Sequence, residues 1–132
     1  MKLLLGYGTV LILLMLLDAF WLGFVMKDFY RQQIGHLFGS RVVWWAAILF
    51  YLLYAAAAVY FAALPAPTLA GAALRGALLG FTAYMTYDLT NQATLRDWPL
   101  IITALDIAWG AGITALAAMA AKWVGLHRLF TA

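Results

Sequence analysis

Three aspartates interrupt long apolar stretches of this 132-residue sequence: Asp18, Asp88 and Asp106. A carboxyl group in such a setting can act as a general acid, relay a proton or bind a cation. Each Asp at the centre of a membrane helix costs about 2.5–3.5 kcal/mol on insertion scales. Three of them therefore call for compensating interactions, and the chemistry of the chain is expected around them.

The spacing of the aspartates predicts that they lie at one depth. Asp18 comes nine residues before Lys27, and Asp88 comes eight residues before Arg96. Asp106 lies at a similar distance from the beginning of its own apolar segment. At about 1.5 Å per residue, each carboxyl lies ~12–14 Å from the same membrane face. In a bundle of antiparallel helices, the three carboxyls are expected to converge on one cavity.

Aromatic and polar side chains share the helix faces of these aspartates. Trp21 and Trp109 each follow an aspartate by three residues, about one helical turn. Tyr51 and Tyr54 fall at comparable depth on a neighbouring segment. The predicted ligand-binding residues of the cavity are Asp18, Trp21, Tyr84, Tyr87, Asp88, Asn91, Asp106 and Trp109. Arg31, His36 and Arg41 are expected to form a basic rim that receives an anionic headgroup, although snorkelling at the interface accounts for them equally well.

Two interpretations of the carboxyl group cluster stay open. Carboxyls grouped at low dielectric repel one another when ionised, so we expect at least one to be protonated at neutral pH. Alternatively, the aspartates accept hydrogen bonds from Trp, Tyr, Thr and Asn across helices and only fix the bundle. The three aspartates could supply oxygen ligands to Mg²⁺ or Ca²⁺, with His36 reaching in from the first loop. Because no HxxH, ExxH or DxxD spacing occurs, no metal site is expected. A nucleophilic site has little support, because Ser40 is the one serine and cysteine is absent, and whether the protein catalyses anything stays open.

The composition indicates that the chain lies in a lipid bilayer and not in water. Hydrophobic residues make up 67% and charged residues 10%, against roughly 45–50% and 25% in soluble domains. So small a chain cannot bury so much apolar surface, which excludes a soluble monomer and a disordered chain. The net charge of +3 comes from scattered cations, which excludes the clustered Lys/Arg of a nucleic-acid site.

Four segments are long and apolar enough to cross a membrane. The sequence predicts an all-α integral membrane protein, a four-transmembrane-helix up-and-down bundle forming a single domain over residues 1–132. The predicted spans are 3–26, 42–64, 69–94 and 98–121. Between the first two, Lys27 to Arg41 has apolar residues at helical spacing, which predicts an amphipathic segment in the membrane interface. Basic residues are balanced between the two faces and do not decide the orientation.

Six sequence motifs together resemble one known family. They are LDAFWLG at 17–23, FYR at 29–31, IGH at 34–36, YDLTN at 87–91, WP at 98–99 and DIAWG at 106–110. The combination covers nearly the whole chain and resembles the family of small bacterial membrane proteins called domain of unknown function 2177. The resemblance implies a four-span protein of the bacterial inner membrane with no established activity or cofactor. It also implies a link to membrane-lipid modification, since members are often encoded beside lipid-modifying enzymes.

The leading functional hypothesis is binding of a membrane lipid or another amphipathic small molecule in the Asp/Trp/Tyr-lined cavity. One alternative is a small homodimeric transporter or proton-relay protein, because four short spans rarely enclose a complete pathway. Another is an assembly subunit whose aspartates pair with Arg or Lys of a partner helix.

Overall fold

A computed structural model describes residues 1–126, and every regular element in that range is helical. Five α-helices follow one another: α1 (Lys2–Phe20), α2 (Lys27–Ile34), α3 (Trp44–Ala57), α4 (Leu69–Thr94) and α5 (Leu100–Val124). Helix α1 continues as a π-helical segment over Trp21–Val25, and α3 does so over Ala58–Ala63. A single 3₁₀ turn, Gly35–Leu37, follows α2.

Three of the long helical segments have the length and apolar composition of membrane spans. They are Lys2–Val25, Trp44–Ala63 and Leu100–Val124. Helix α4 is long enough, at 26 residues, but it is not among them, since Arg75, Asp88 and several hydroxyl and amide side chains make it more polar. The prediction of an all-helical fold is thus confirmed for residues 1–126, with three candidate membrane spans where four were expected.

Small residues set the centre of the bundle, where α4 packs along α5. Gly76 and Gly80 are buried on α4, one helical turn apart. A Cβ added to Gly76 would meet the backbone of Thr114, and one added to Gly80 would meet the carbonyl of Gly110. The two backbones therefore approach closely, in the manner of small-xxx-small contacts between membrane helices.

The remaining core is built mostly from small and branched side chains of α1, α3 and α5. Its fully buried members include Val10, Leu14, Ala55, Ala58, Ala62, Ala117, Ala118 and Ala121. The outer surface is apolar by contrast, with Leu4, Phe24 and Trp45 each more than two-thirds exposed. An apolar exterior around a small-residue core is typical of a protein that faces lipid.

Helix α2 packs onto one end of the bundle. Tyr30 and Ile34, four residues apart on one face of α2, are buried against Trp98, which precedes α5, and Ile102 in the first turn of α5. The segment is helical, as the apolar spacing predicts, and its apolar face contacts protein. The position of α2 matters because it brings Tyr30 over the aspartates.

A polar triad fixes the connection between α4 and α5. The Trp98 indole donates to the Thr103 hydroxyl at 3.0 Å, and that hydroxyl donates to the Gln92 side-chain oxygen at 2.9 Å. The Gln92 amide closes the triad by donating to the Trp98 carbonyl at 2.9 Å. The end of α4 is thereby held against the beginning of α5, which carries Asp106.

Candidate functional site

A cavity of about 750 Å³ lies at the end of the bundle where α2 packs. Side chains of all five helices contribute to its wall, including Asp18, Trp21, Lys27, Tyr30, Arg31, Phe50, Tyr51, Tyr84, Tyr87, Trp98, Asp106 and Trp109. The volume falls within the range of roughly 300–1,000 Å³ typical of small-molecule sites.

Asp18 links three helices through its carboxylate. Its Oδ2 accepts a hydrogen bond from the Tyr51 hydroxyl of α3 at 2.7 Å. Its Oδ1 accepts one from the Trp109 indole of α5 at 2.8 Å. The side chain is buried, with 6% of the residue exposed. Both oxygens therefore have partners, and the cost of placing this carboxylate in the bundle is offset by interhelical hydrogen bonds.

Two indoles form a stacked pair in the cavity wall. The rings of Trp21 and Trp109 lie 4.3 Å apart and 9° from parallel. The Trp21 Nε1 is 3.5 Å from the Tyr30 hydroxyl, to which it donates. The pair joins the π-helical end of α1 to α5 and presents a flat apolar surface beside the carboxyls.

Asp106 is held by a residue of α2. The Tyr30 hydroxyl donates a hydrogen bond to Asp106 Oδ1. Burial, together with this hydrogen bond to a carboxylate, raises the pKa of Tyr30 above its usual value. The phenol therefore stays protonated and remains a donor to Asp106 throughout the physiological pH range.

Asp88 lies behind the cavity wall, against Asp106. It has no solvent exposure, and neither carboxylate oxygen has a hydrogen-bond partner among residues 1–126. Its side chain interacts electrostatically with that of Asp106 across the α4–α5 contact. A buried polar group without a partner is rare in folded proteins and marks a site of interest.

Two cations lie at the cavity wall on α2. Lys27 and Arg31 are both exposed, and they are four residues apart on one helix face. Among the described residues, no group of three or more His, Cys, Asp or Glu side chains could hold a metal ion. The arrangement therefore offers hydrogen bonds, one basic edge and aromatic surface, which are the features of a binding site.

The structure brings together most of the predicted site residues. Asp18, Trp21, Arg31, Tyr84, Tyr87, Asp106 and Trp109 line the cavity, and Asp88 lies directly behind Asp106. Asn91 falls outside the wall, because it lies one turn nearer the end of α4 and its side chain interacts with Tyr87.

Of the three residues expected to form a basic rim, Arg31 alone lies in the cavity wall. His36 and Arg41 are exposed and do not line the cavity, because His36 lies in the 3₁₀ turn after α2 and Arg41 comes in the connection before α3. Lys27 takes their place beside Arg31, since residues four apart share a face of α2.

Two polar contributors were missing from the sequence prediction. Tyr30 and Lys27 both lie in the segment that the sequence predicts to be amphipathic, and neither is among the predicted ligand-binding residues. Helical spacing offered a signal, because Lys27, Tyr30, Arg31 and Ile34 recur at intervals of three and four residues. This spacing places them on one face, but it does not say what that face contacts.

A second groove lies on the outer surface near the opposite end of the bundle. Residues of α1 and of the π-helical end of α3 line it, with a volume of about 600 Å³. Its walls are apolar, from Leu3 and Leu4 to Tyr60 and Phe61. This groove lacks the charged side chains of the cavity.

Comparisons with known proteins match the chain to a protein family. No curated protein and no solved structure matches the chain. The family described as "Predicted membrane protein (DUF2177)", whose function is unknown, matches residues 3–123. This match covers nearly the whole chain and includes every residue that lines the cavity. The protein therefore belongs to this family of membrane proteins of unknown function.

Proposed function

We propose that this protein binds an amphipathic small molecule, foremost a membrane lipid, in the cavity at the α2 end of the bundle. One observation carries the proposal. A cavity of about 750 Å³ combines an aromatic wall, two carboxyls and two cations within a protein whose outer surface is apolar. A ligand with polar and apolar parts matches this division better than a purely polar or purely apolar one.

The side chains of the cavity wall indicate which chemical groups the ligand carries. Lys27 and Arg31 would bind an anionic group such as a phosphate, because Arg and Lys are the usual partners of phosphates. The stacked Trp21 and Trp109 would contact its apolar part. Leu22 and Phe50 line the cavity and are also exposed, at 47% and 44%, so an acyl chain has an apolar route from the cavity to the lipid-facing surface.

We also propose that α4 crosses the membrane, which makes four spans in the bacterial inner membrane. Support comes from its packing, since α4 has 26 residues and α5 has 25, and Gly76 and Gly80 of α4 lie against α5. Two helices joined by a short connection and packed closely along each other occupy the same depth. Of the polar residues of α4, Asp88 faces protein, and the exposed Thr82, Thr86 and Thr90 donate their hydroxyls to carbonyls of their own helix.

Native mass spectrometry of protein purified in detergent and incubated with a mixture of phosphatidylethanolamine and phosphatidylglycerol tests lipid binding. The double variant Lys27→Ala/Arg31→Ala removes the cations of the wall, and we expect about a tenfold loss of bound lipid. The matched control is Arg41→Ala/Arg96→Ala, which removes two exposed cations that do not line the cavity. Equal lipid retention by both variants, or no retained lipid in the unaltered protein, would contradict the proposal.

A second candidate, a proton relay working as a homodimer, draws support from a different observation. Tyr30, Asp106 and Asp88 follow one another from the cavity into the α4–α5 contact. Proton flux into liposomes, followed with an entrapped pH-sensitive dye, tests this role. The relay requires flux that Asp88→Asn abolishes, and absence of flux from the unaltered protein argues against it.

A further inference from the structure

The inference concerns the pair formed by Asp88 and Asp106, and it rests on the proposed function. Asp88 is fully buried and both of its oxygens lack partners among the described residues, although its side chain lies against that of Asp106. Two adjacent buried carboxylates that are both ionised, with no cation beside them, would be strongly destabilising. The pair is expected to hold one shared proton when the cavity contains no cation, which also gives Asp88 the hydrogen bond that it otherwise lacks.

We infer that the ligand of the cavity carries an ammonium group, that this group binds Asp106, and that its binding displaces the proton shared by Asp88 and Asp106. The charges balance. The protonated pair carries a charge of −1, and the two carboxylates with one bound ammonium also carry −1, while the displaced proton passes to the surrounding buffer. No bond of the ligand is made or broken.

Asp106, and not Asp18, is the carboxyl group available for a cation. Both oxygens of Asp18 already accept hydrogen bonds, from Tyr51 and Trp109. The described hydrogen bond to Asp106 uses Oδ1, and the residue is half-buried in the cavity wall. A cation in the cavity therefore meets Asp106 without disrupting the contacts that hold α1, α3 and α5 together.

The groups that face Asp106 favour a cation. Tyr30 of α2 donates to it, Asp88 of α4 lies against it, and the charge of Asp18 on α1 acts on it from across the cavity. Tyr84 and Tyr87 of α4 also lie within electrostatic range, while from α3 the hydroxyl of Tyr51 is directed to Asp18. Aromatic faces and carboxylates together are the usual surroundings of an organic ammonium group.

The two cations of α2 complete the description of the ligand. Lys27 and Arg31 lie in the same cavity wall as Asp106, so one ligand can meet negative and positive side chains together. A molecule that carries both a phosphodiester and an ammonium group satisfies both. The inferred ligand class is therefore the zwitterionic phospholipid, in which the phosphate contacts α2 and the ammonium group contacts α5.

Isothermal titration calorimetry in detergent tests the recognition of the ammonium group separately from the displacement of the proton. Short-chain phosphatidylethanolamine is compared with phosphatidylglycerol of the same acyl chains, which has the same phosphodiester and lacks the ammonium group. Each titration is repeated at pH 7 in two buffers with different heats of protonation. We expect phosphatidylethanolamine to bind about tenfold more tightly than phosphatidylglycerol. Because binding releases one proton to the buffer, the measured heat for phosphatidylethanolamine should differ between the two buffers by the difference in their heats of protonation. The heat for phosphatidylglycerol should be the same in both buffers.

Two variants of nearly unchanged side-chain shape show which carboxyl group causes the lipid preference and which is needed for the proton release. Asp106→Asn is expected to remove the preference for phosphatidylethanolamine. Asp88→Asn is expected to keep binding but to abolish the buffer dependence, because Asp106 then carries no shared proton. If a variant does not fold, the comparison of two lipids in two buffers on the unaltered protein still decides the inference.

Failure of the inference is distinguishable from failure of the proposed function. Equal binding of the two lipids would overturn ammonium recognition and leave lipid binding in place. Preferential binding of phosphatidylethanolamine with heats that are equal in both buffers would overturn the proton displacement. Binding of neither lipid would overturn the proposed function, and the inference with it.

Discussion

Individual hydrogen bonds divide Asp18, Asp88 and Asp106 into two groups. Asp18 is fully partnered by Tyr51 and Trp109 and connects three helices. Asp106 has a phenol donor from α2 and faces the cavity, and Asp88 lies unpartnered behind it. The hydrogen bonds of Asp18 are those expected of an aspartate that fixes the bundle, and the chemical role is proposed for the other two.

A structural role for Asp18 leads to a prediction for its donors. Tyr51→Phe and Trp109→Phe each remove one hydrogen bond to the carboxylate while keeping an aromatic ring. We expect each change to lower the free energy of unfolding by about 1–2 kcal/mol, the upper range for interhelical hydrogen bonds in membranes. Thermal unfolding in detergent provides the measurement.

The control for these variants is Tyr60→Phe, which alters a tyrosine that is 67% exposed on the outer surface. We expect its unfolding temperature to remain that of the unaltered protein. If Tyr51→Phe and Trp109→Phe also unfold at the unaltered temperature, Asp18 does not hold the three helices together.

The sequence predicts how far along its helix each aspartate lies, but it does not predict which residues the aspartates contact. Counting residues from Lys27 and Arg96 gives the depth of Asp18 and Asp88, because rise per residue is constant along a helix. Partner choice depends on how each helix is rotated and on what folds over the bundle. Tyr30 shows this, since its contact with Asp106 joins residues 76 positions apart and no local pattern encodes it.

At the level of the helices, the contact between α4 and α5 determines where Asp88 and Asp106 meet. Gly76 and Gly80 of α4 allow the backbones to approach, and Gly110 of α5 leaves room for the ring of Tyr84. Gly80 lies about two helical turns before Asp88, and Gly110 lies about one turn after Asp106. The closeness of the two backbones there affects the separation of the two carboxyls.

Gly80→Ala tests this closeness. The added methyl group would meet the Gly110 carbonyl and the Thr114 hydroxyl, so the helices must separate. We expect a loss of about 1–3 kcal/mol in the free energy of unfolding, the usual cost of overpacking, together with weaker lipid retention. The measurements are thermal unfolding and native mass spectrometry.

Gly112→Ala on α5 is the matched control, because nothing lies within 4 Å of the added methyl group. Alanine is the better helix former by about 1 kcal/mol, so we expect unchanged or slightly higher stability. Destabilisation of both variants to the same extent would mean that the effect of Gly80→Ala does not come from the contact with α5.

For the whole molecule, apolar runs predicted the positions of the long helices well, because length and hydropathy are local properties of a sequence. The docking of α2 was harder to predict. A face formed by Tyr30 and Ile34 suits a membrane interface as well as it suits Trp98 and Ile102, and composition does not distinguish the two environments. The same ambiguity affects α4, whose polar residues lower its hydropathy although Gly76, Gly80 and Asp88 are buried against protein.

The crossing of α4 can be tested through the absence of cysteine from the chain, because each engineered thiol is then the only one present. Arg41→Cys and Arg96→Cys place a thiol before α3 and after α4, and Pro67→Cys places one between these helices. All three positions are exposed. If α3 and α4 both cross, residues 41 and 96 lie on one side of the membrane and residue 67 on the other.

Labelling with a membrane-impermeant maleimide, on intact spheroplasts and on inverted vesicles, shows on which side of the membrane each thiol lies. We expect Arg41→Cys and Arg96→Cys to react in one preparation and Pro67→Cys in the other. Leu78→Cys, an exposed position within α4, should react in neither until the membrane is dissolved. Reaction of residues 67 and 96 in the same preparation, opposite to residue 41, would mean that α4 lies along the surface. In that case the cavity would open at the membrane face, since two of its wall residues, Tyr84 and Tyr87, belong to α4.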